Sequence, residues 1–158
     1  MIGRKGYFGK NCDTQTLPCP TNDSKYALVD NKCVYFEKTT LTYDKAIENC
    51  KEKLKDYGGG GILYEPNSIA EQKRIVDMAY ERGLLCWAWI GVTDKTTEGQ
   101  FTYNSNNQPI NFTLEELIKR PSRGRRDNCI QIFVHSGNST WSEETCTSPY
   151  SSSCWSIT

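Results

Sequence analysis

Eight cysteines in 158 residues constrain this chain more than any other feature. They stand at positions 12, 19, 33, 50, 86, 129, 146 and 154. No two are spaced C-x2-C or C-x4-C, as a structural zinc site would need, so the scatter and even count point to disulfides in an oxidising compartment. A chain of this length forms one domain and buries roughly two-thirds of its unfolded surface, so the bonds staple a core and do not replace one. Three N-x-S/T sequons, at Asn22, Asn111 and Asn138, agree with export and are the N-glycosylation candidates. Residues 1–10 lack the apolar core of a signal peptide. The sequence therefore reads as the mature part of a longer protein, secreted or extracellular, with Met1 added for expression.

Charge removes several function classes. Nineteen basic side chains balance nineteen acidic ones, leaving no global attraction to nucleic acid or to membrane surfaces. The longest apolar stretch, residues 84–92, is about half of what a bilayer requires, so no membrane insertion is expected. The single histidine, His135, follows an apolar run beside Ser136, and no nucleophile–base–acid set accompanies it. A non-enzymatic chain is expected.

Periodicity gives the elements. Residues 26–36 read as a hairpin turning at Asp30-Asn31. Thr42 caps a helix whose apolar positions Tyr43, Ala46, Ile47, Cys50 and Leu54 follow the 3.6-residue period, and four glycines, 58–61, end it. Ser68-Ile-Ala-Glu71 is a capping box opening a second helix, with Ile69, Ile75, Val76 and Ala79 on its apolar face and Gly83 as its stop. Beyond it, strands are predicted at 87–92, 101–103, 129–134 and 139–141. The polar, turn-rich stretch 104–128 is long enough to suggest a functional loop. Helices first and strands afterwards make an α+β domain.

The residues then resemble a known family. Cys19-Pro20, Cys33-Val-Tyr-Phe36, Ala46 to Cys50, Glu71-Gln72, Trp89-Ile90-Gly91, Cys129, Trp141, Cys146 and Cys154 occur in the order and spacing of the C-type lectin-like domain. Locally, the segment from Val92 to Phe101 is similar to the collectins. The resemblance implies a disulfide-stapled fold of two helices packed on small antiparallel sheets with a long ligand loop. It places the domain at 19–158, with 1–18 as an N-terminal arm or the remnant of a preceding module. Gly6 to Asp13 is also similar to the end of an epidermal-growth-factor-like module. The implied pairing is Cys19–Cys33, Cys50–Cys154 and Cys129–Cys146. Cys12 and Cys86 are left over; they form a fourth bond, or either one links two chains into a dimer or larger assembly.

Sugar-chelating members of the family hold calcium through an acidic tripeptide and a Trp-Asn-Asp sequence. Glu65-Pro66-Asn67 looks like the tripeptide but precedes the second helix, on the wrong side of Trp89-Ile90-Gly91, and reads as a turn before the Ser68 cap. At the proper place stands Arg120-Pro121-Ser122, and Trp141-Ser142-Glu143 replaces Trp-Asn-Asp. A guanidinium in place of a carboxylate repels the ion, so this site is expected to be degraded. A second calcium position of the family is approximated by Asp94, Glu98, Asp127 and Asn128, with Arg123 where another acid would stand; otherwise Asp94 and Glu98 cap turns.

In place of the sugar site stands a basic run, Lys119-Arg-Pro-Ser-Arg-Gly-Arg-Arg126, with five positive charges in eight residues. The ligand-binding candidates are Lys119, Arg120, Ser122, Arg123, Arg125, Arg126, Asp127 and Glu143. Forked guanidinium donors suit sulfate, carboxylate or an acidic protein patch. Arg123 to Arg126 also fits the basic pattern cut by furin-like proteases. The expectation is an extracellular recognition module that binds a glycan, sulfated or acidic, or a protein ligand through 104–128. Calcium-dependent carbohydrate binding and a structural or adhesive role in a larger protein are the alternatives. If Cys12 and Cys86 pair within the chain, mass analysis of the non-reduced full-length protein returns a monomer; a covalent dimer contradicts that pairing.

Overall fold

The computed structural model describes residues 17–84, 86–110, 128–134 and 140–157, and of Cys86 the backbone only. Cys12, the sequons at Asn111 and Asn138, His135 and the basic run therefore lie outside the described residues, as does the Cys12–Cys86 pairing. Among the described residues, ten elements follow in the order β1 (Tyr26–Val29), β2 (Lys32–Leu41), α1 (Tyr43–Lys53), β3 (Gly61–Leu63), α2 (Ile69–Glu81), β4 (Cys86–Thr97), β5 (Gln100–Tyr103), β6 (Cys129–Val134), β7 (Trp141–Glu144) and β8 (Tyr150–Ser156).

Both predicted helices form where their caps stand. The Thr42 hydroxyl accepts from the Lys45 N–H, and Ser68 Oγ accepts from the Glu71 N–H at 3.1 Å. Either cap satisfies an amide that the first helical turn would leave bare. Glu71 answers with a shift of one residue: its Oε1 accepts from the Asn67 N–H at 3.2 Å and from the Tyr64 hydroxyl at 2.9 Å. Ile69 departs from the expected apolar face. It opens the helix and is 42% exposed, because the first residue of α2 projects beyond the core that Ile75, Val76 and Ala79 reach.

The strands join in one network, ordered β1-β2-β8-β4-β6-β7, with β3 attached to β8 and β5 to β4. The small separate antiparallel sheets of the expectation are thus connected, through a parallel pairing of β4 with β8. Pleating divides the side chains between two cores. Val34, Phe36, Ala88, Ile90, Ile130 and Trp141 pack with Ile75, Val76 and Ala79 of α2. Cys33, Tyr35, Leu63, Trp89 and Cys154 pack with Tyr43, Ala46 and Cys50 of α1 and with Leu54 at its C-cap. The alternation along Cys33–Phe36 and Ala88–Ile90 is the period-two signature of strands buried on both faces.

Two strand predictions need correction, and two further strands form. The strand at 87–92 extends to Thr97 as β4. The strand expected at 139–141 is instead Trp141–Glu144, so polar Ser142 and Glu143 lie inside it. β3 and β8 are additional strands. Gly61, read as part of a helix stop, opens β3 because a Cβ there would come within 2.5 Å of the Cys50 carbonyl.

All three disulfides implied for described cysteines are present: Cys19–Cys33, Cys50–Cys154 and Cys129–Cys146. Cys50–Cys154 closes a separation of 104 residues and ties α1 to β8. On the chain-entropy model a loop of that length contributes about 4–5 kcal/mol. The Tyr43 hydroxyl donates to the Ile90 carbonyl at 3.0 Å, docking α1 to β4 by polar as well as apolar contact, and Trp89 Nε1 donates to the Leu41 carbonyl at 2.9 Å, tying β4 to the end of β2. A Cβ at Gly91 would meet the Leu63 carbonyl at 2.9 Å and Glu65 Cγ at 2.8 Å. Gly91→Ala is predicted to cost about 1–3 kcal/mol through overpacking, read as a melting temperature several degrees lower.

Candidate metal centre and ligand-binding region

Asp94 lies in the part of β4 where the ladder to β5 shifts register between Thr93 and Thr97. Val92, Thr93 and Asp94 are consecutively buried there, which breaks the inward–outward alternation and turns a carboxylate toward the interior. Asp94 Oδ2 accepts from the Gly99 N–H at 2.9 Å, so it does cap the turn that carries Glu98. The turn also folds Glu98 back beside Asp94.

The third carboxylate comes from β7. β6 pairs with β4 at Thr93↔Cys129 and with β7 at Ile130↔Glu143, so the intervening strand holds Glu143 at the same level as Asp94. One oxygen from each of Asp94, Glu98 and Glu143 lies within 4.8 Å of the others. Asp94 and Glu143 are 1% and 3% exposed, and Glu98 is exposed. Of the expected calcium residues, the structure thus brings Asp94 and Glu98 together and adds Glu143. Asn128 stands beside them, its carbonyl accepting from the Asp94 N–H at 3.2 Å. Asp127 lies outside the described residues, as do Lys119, Arg120, Ser122, Arg123, Arg125 and Arg126.

Burial and mutual repulsion disfavour the charged form of Asp94. Burial raises the Asp94 carboxyl above its ordinary value of 3.8, and the neighbouring charge of Glu98 raises it further, against the lowering by the Gly99 N–H. Asp94 Oδ1 is buried with no hydrogen-bond partner. A buried carboxylate oxygen left this way costs free energy unless a cation or proton meets it. The donors are all carboxylate or carbonyl oxygens, which fits a hard divalent cation of the calcium type and not a soft metal.

Ser142, expected from the resemblance to stand in place of an amide ligand, is buried, and its hydroxyl lies 3.4 Å from the Glu143 carbonyl. Glu65, read as part of a turn, has a different role. It is 7% exposed in an extended segment and accepts from both the N–H and the hydroxyl of Ser105 at 2.8 Å. It braces the turn after β5. Tyr103 completes the brace by donating its hydroxyl to the Pro66 carbonyl.

The Lectin C-type domain profile matches residues 39–155, from within β2 to within β8. The chain belongs to the C-type lectin domain family. Members of this family are generally non-enzymatic and bind glycans or proteins, often with calcium. The tetranectin-like protein of Carcharhinus perezii is 32% identical over 123 residues, covering 76% of this chain and 68% of the relative. Two solved C-type lectin folds are similar in structure. A Ca2+-dependent type II antifreeze protein in its Ca2+-free form has a TM-score of 0.65 at 22% identity, covering 85% of this chain and 99% of that one. A calcium-independent type II antifreeze protein has a TM-score of 0.63 at 24% identity, covering 84% and 92%.

Asp94 supplies a pH test. A carboxyl raised in the folded state binds protons preferentially there, so its contribution to stability is lost as pH rises above the ordinary value of 3.8. Asp94→Asn keeps an oxygen for the Gly99 N–H and removes the charge. In chelator, the melting temperature of D94N relative to the parent is predicted to climb as pH rises through this window. Calcium should reverse the order at neutral pH by stabilising the parent alone; about 2.7 kcal/mol is expected at a hundredfold excess over Kd.

Proposed function

We propose that the domain is an extracellular, non-enzymatic recognition module whose 104–128 region is anchored on a calcium ion and presents a basic surface to an anionic glycan. The observation that carries the calcium half is the convergence of Asp94, Glu98 and Glu143 within 4.8 Å around a buried, unpartnered oxygen. Asp127 and Asn128 complete the donor set in this reading, since they immediately precede Cys129 and the Asn128 carbonyl already bonds the Asp94 amide. The ion's part is to neutralise the buried carboxylates and join β4, β7 and the end of the loop.

The ligand half rests on residue chemistry. Arg120 and Ser122 stand where sugar-chelating members carry acids and amides, and Ser142 is buried rather than presented. These replacements favour an ion that organises the loop over one that chelates vicinal hydroxyls. Lys119, Arg120, Arg123, Arg125 and Arg126 then offer five cations in one short run, suited to sulfate or carboxylate groups. The three disulfides and the exposed sequon at Asn22 support an extracellular location. No helix among the described residues is long and apolar enough to cross a membrane.

A glycan array read with and without chelator, at two salt concentrations, tests the reading. Binding should concentrate on sulfated or acidic glycans, weaken as salt screens the contacts, and fall in chelator. Binding to neutral sugars that is salt-independent and abolished by chelator would replace this account with direct sugar chelation.

A further inference from the structure

A groove between β2, α1 and the end of α2 has the opposite chemistry to the carboxylate group. It encloses about 550 Å³, in the range of pockets that take small ligands. Lys25, Lys38, Lys53 and Arg82 line it against a single carboxylate, Glu37. Four positive charges less one negative leave +3 locally, in a protein whose formal net charge is +0.

Glu37 is already committed within the wall. It accepts from the Tyr35 hydroxyl at 3.0 Å, Asn49 Nδ2 at 2.9 Å and the Thr39 N–H at 3.1 Å. Burial alone would raise its carboxyl, but these donors hold it below the ordinary carboxylate value, so it stays charged and occupied. None of the four cations forms an ion pair among the described residues.

Ring faces set two of them in place. The Arg82 guanidinium lies 5.4 Å from the centre of Phe36, and Lys53 Nζ lies 5.7 Å from that of Tyr35. Lys38 Nζ reaches across to the end of α2, where a Cβ on Gly83 would approach it to 3.1 Å. Arg82 Nε is buried without an acceptor. Four cations, Lys38 on β2, Lys53 on α1, Lys25 just before β1 and Arg82 just after α2, thus face one carboxylate already engaged by three donors, and an entering anion relieves the remaining repulsion among them.

We propose that this groove is an anion-binding subsite for a sulfated oligosaccharide. Separate cations around the Thr39 hydroxyl and the Asn49 amide suit a ligand carrying both anionic groups and hydroxyls. The concave shape favours a saccharide over an acidic protein face, which needs roughly 800 Å² of matching surface. The subsite is distinct from the metal centre: β2 lies on one side of β8 in the sheet, and β4 and β7 lie on the other. It does not depend on the basic run at 119–126.

The test titrates a heparin-derived hexasaccharide into the full chain, into K25Q/K38Q/K53Q, and into the loop variant R120Q/R123Q/R125Q, with melting temperatures as folding controls. Arg82 is left intact because it packs on Phe36. The groove variant is expected to bind at least about tenfold more weakly. Its salt slope should be shallower by about one for each cation that meets a sulfate, and a K25R/K38R/K53R variant should recover both. The loop variant reports separately on the reading above. Unchanged affinity and slope in the folded groove variant would overturn the subsite, whatever the loop variant does. So would a groove variant that loses poly-glutamate binding while keeping the hexasaccharide, which would assign the groove to acidic protein.

Discussion

Cys50 and Cys154 are both fully buried, and their bond fixes β8 against α1 at the centre of the sheet. β8 pairs with β2 on one side and β4 on the other, and β3 attaches to it as well. The hairpin with its groove and the β4–β6–β7 ladder with its carboxylates are therefore both hung on one covalently anchored strand. Trp89 and Tyr43 carry the anchoring outward, with ring centres 5.3 Å apart and both polar tips bonded to backbone carbonyls. The metal centre inherits its geometry from this frame, because its two buried carboxylates are set by sheet register and not by a flexible loop.

β8 is also where sequence reading is weakest. Tyr150-Ser-Ser-Ser-Cys-Trp-Ser156 has neither a long apolar run nor strong β propensity, yet it is almost wholly buried. Two of its four serine hydroxyls bond to backbone groups of other strands, while Ser152 Oγ is buried without a partner among the described residues. Ser156 Oγ accepts from the Cys33 N–H at 3.0 Å, and Ser151 Oγ lies 3.2 Å from the Trp87 carbonyl. Such contacts span 123 and 64 residues of sequence, so no local pattern announces them. The helices were legible for the opposite reason. Caps at Thr42 and Ser68 act within three residues, and the 3.6-residue period is written in the helix itself.

The candidate site was legible in part. Asp94, Glu98, Asp127 and Asn128 are legible only through the resemblance to the C-type lectin-like domain, which implies a calcium position there; Asp94 and Glu98 by themselves read as turn caps. That Glu143 joins Asp94 and Glu98 depends on two antiparallel registers, which sequence alone does not specify. The strand reading stopped at Trp141 because apolarity stops there, while the strand continues through residues whose burial serves the carboxylate group. Glu65 shows the same limit. Its tripeptide resembles a metal ligand, but its carboxylate is spent on Ser105, forty residues away.

Buried carboxylates and a cluster of four cations around one carboxylate occupy different sides of the central strand, although the chain as a whole is neutral. The account ties the first group to calcium and the second to anionic ligands. Isothermal titration of the chelator-treated protein with calcium tests the central claim most directly. The account predicts saturable binding that is lost in Asp94→Asn with the fold intact, whereas absence of binding heat together with an unchanged melting temperature in calcium would contradict it.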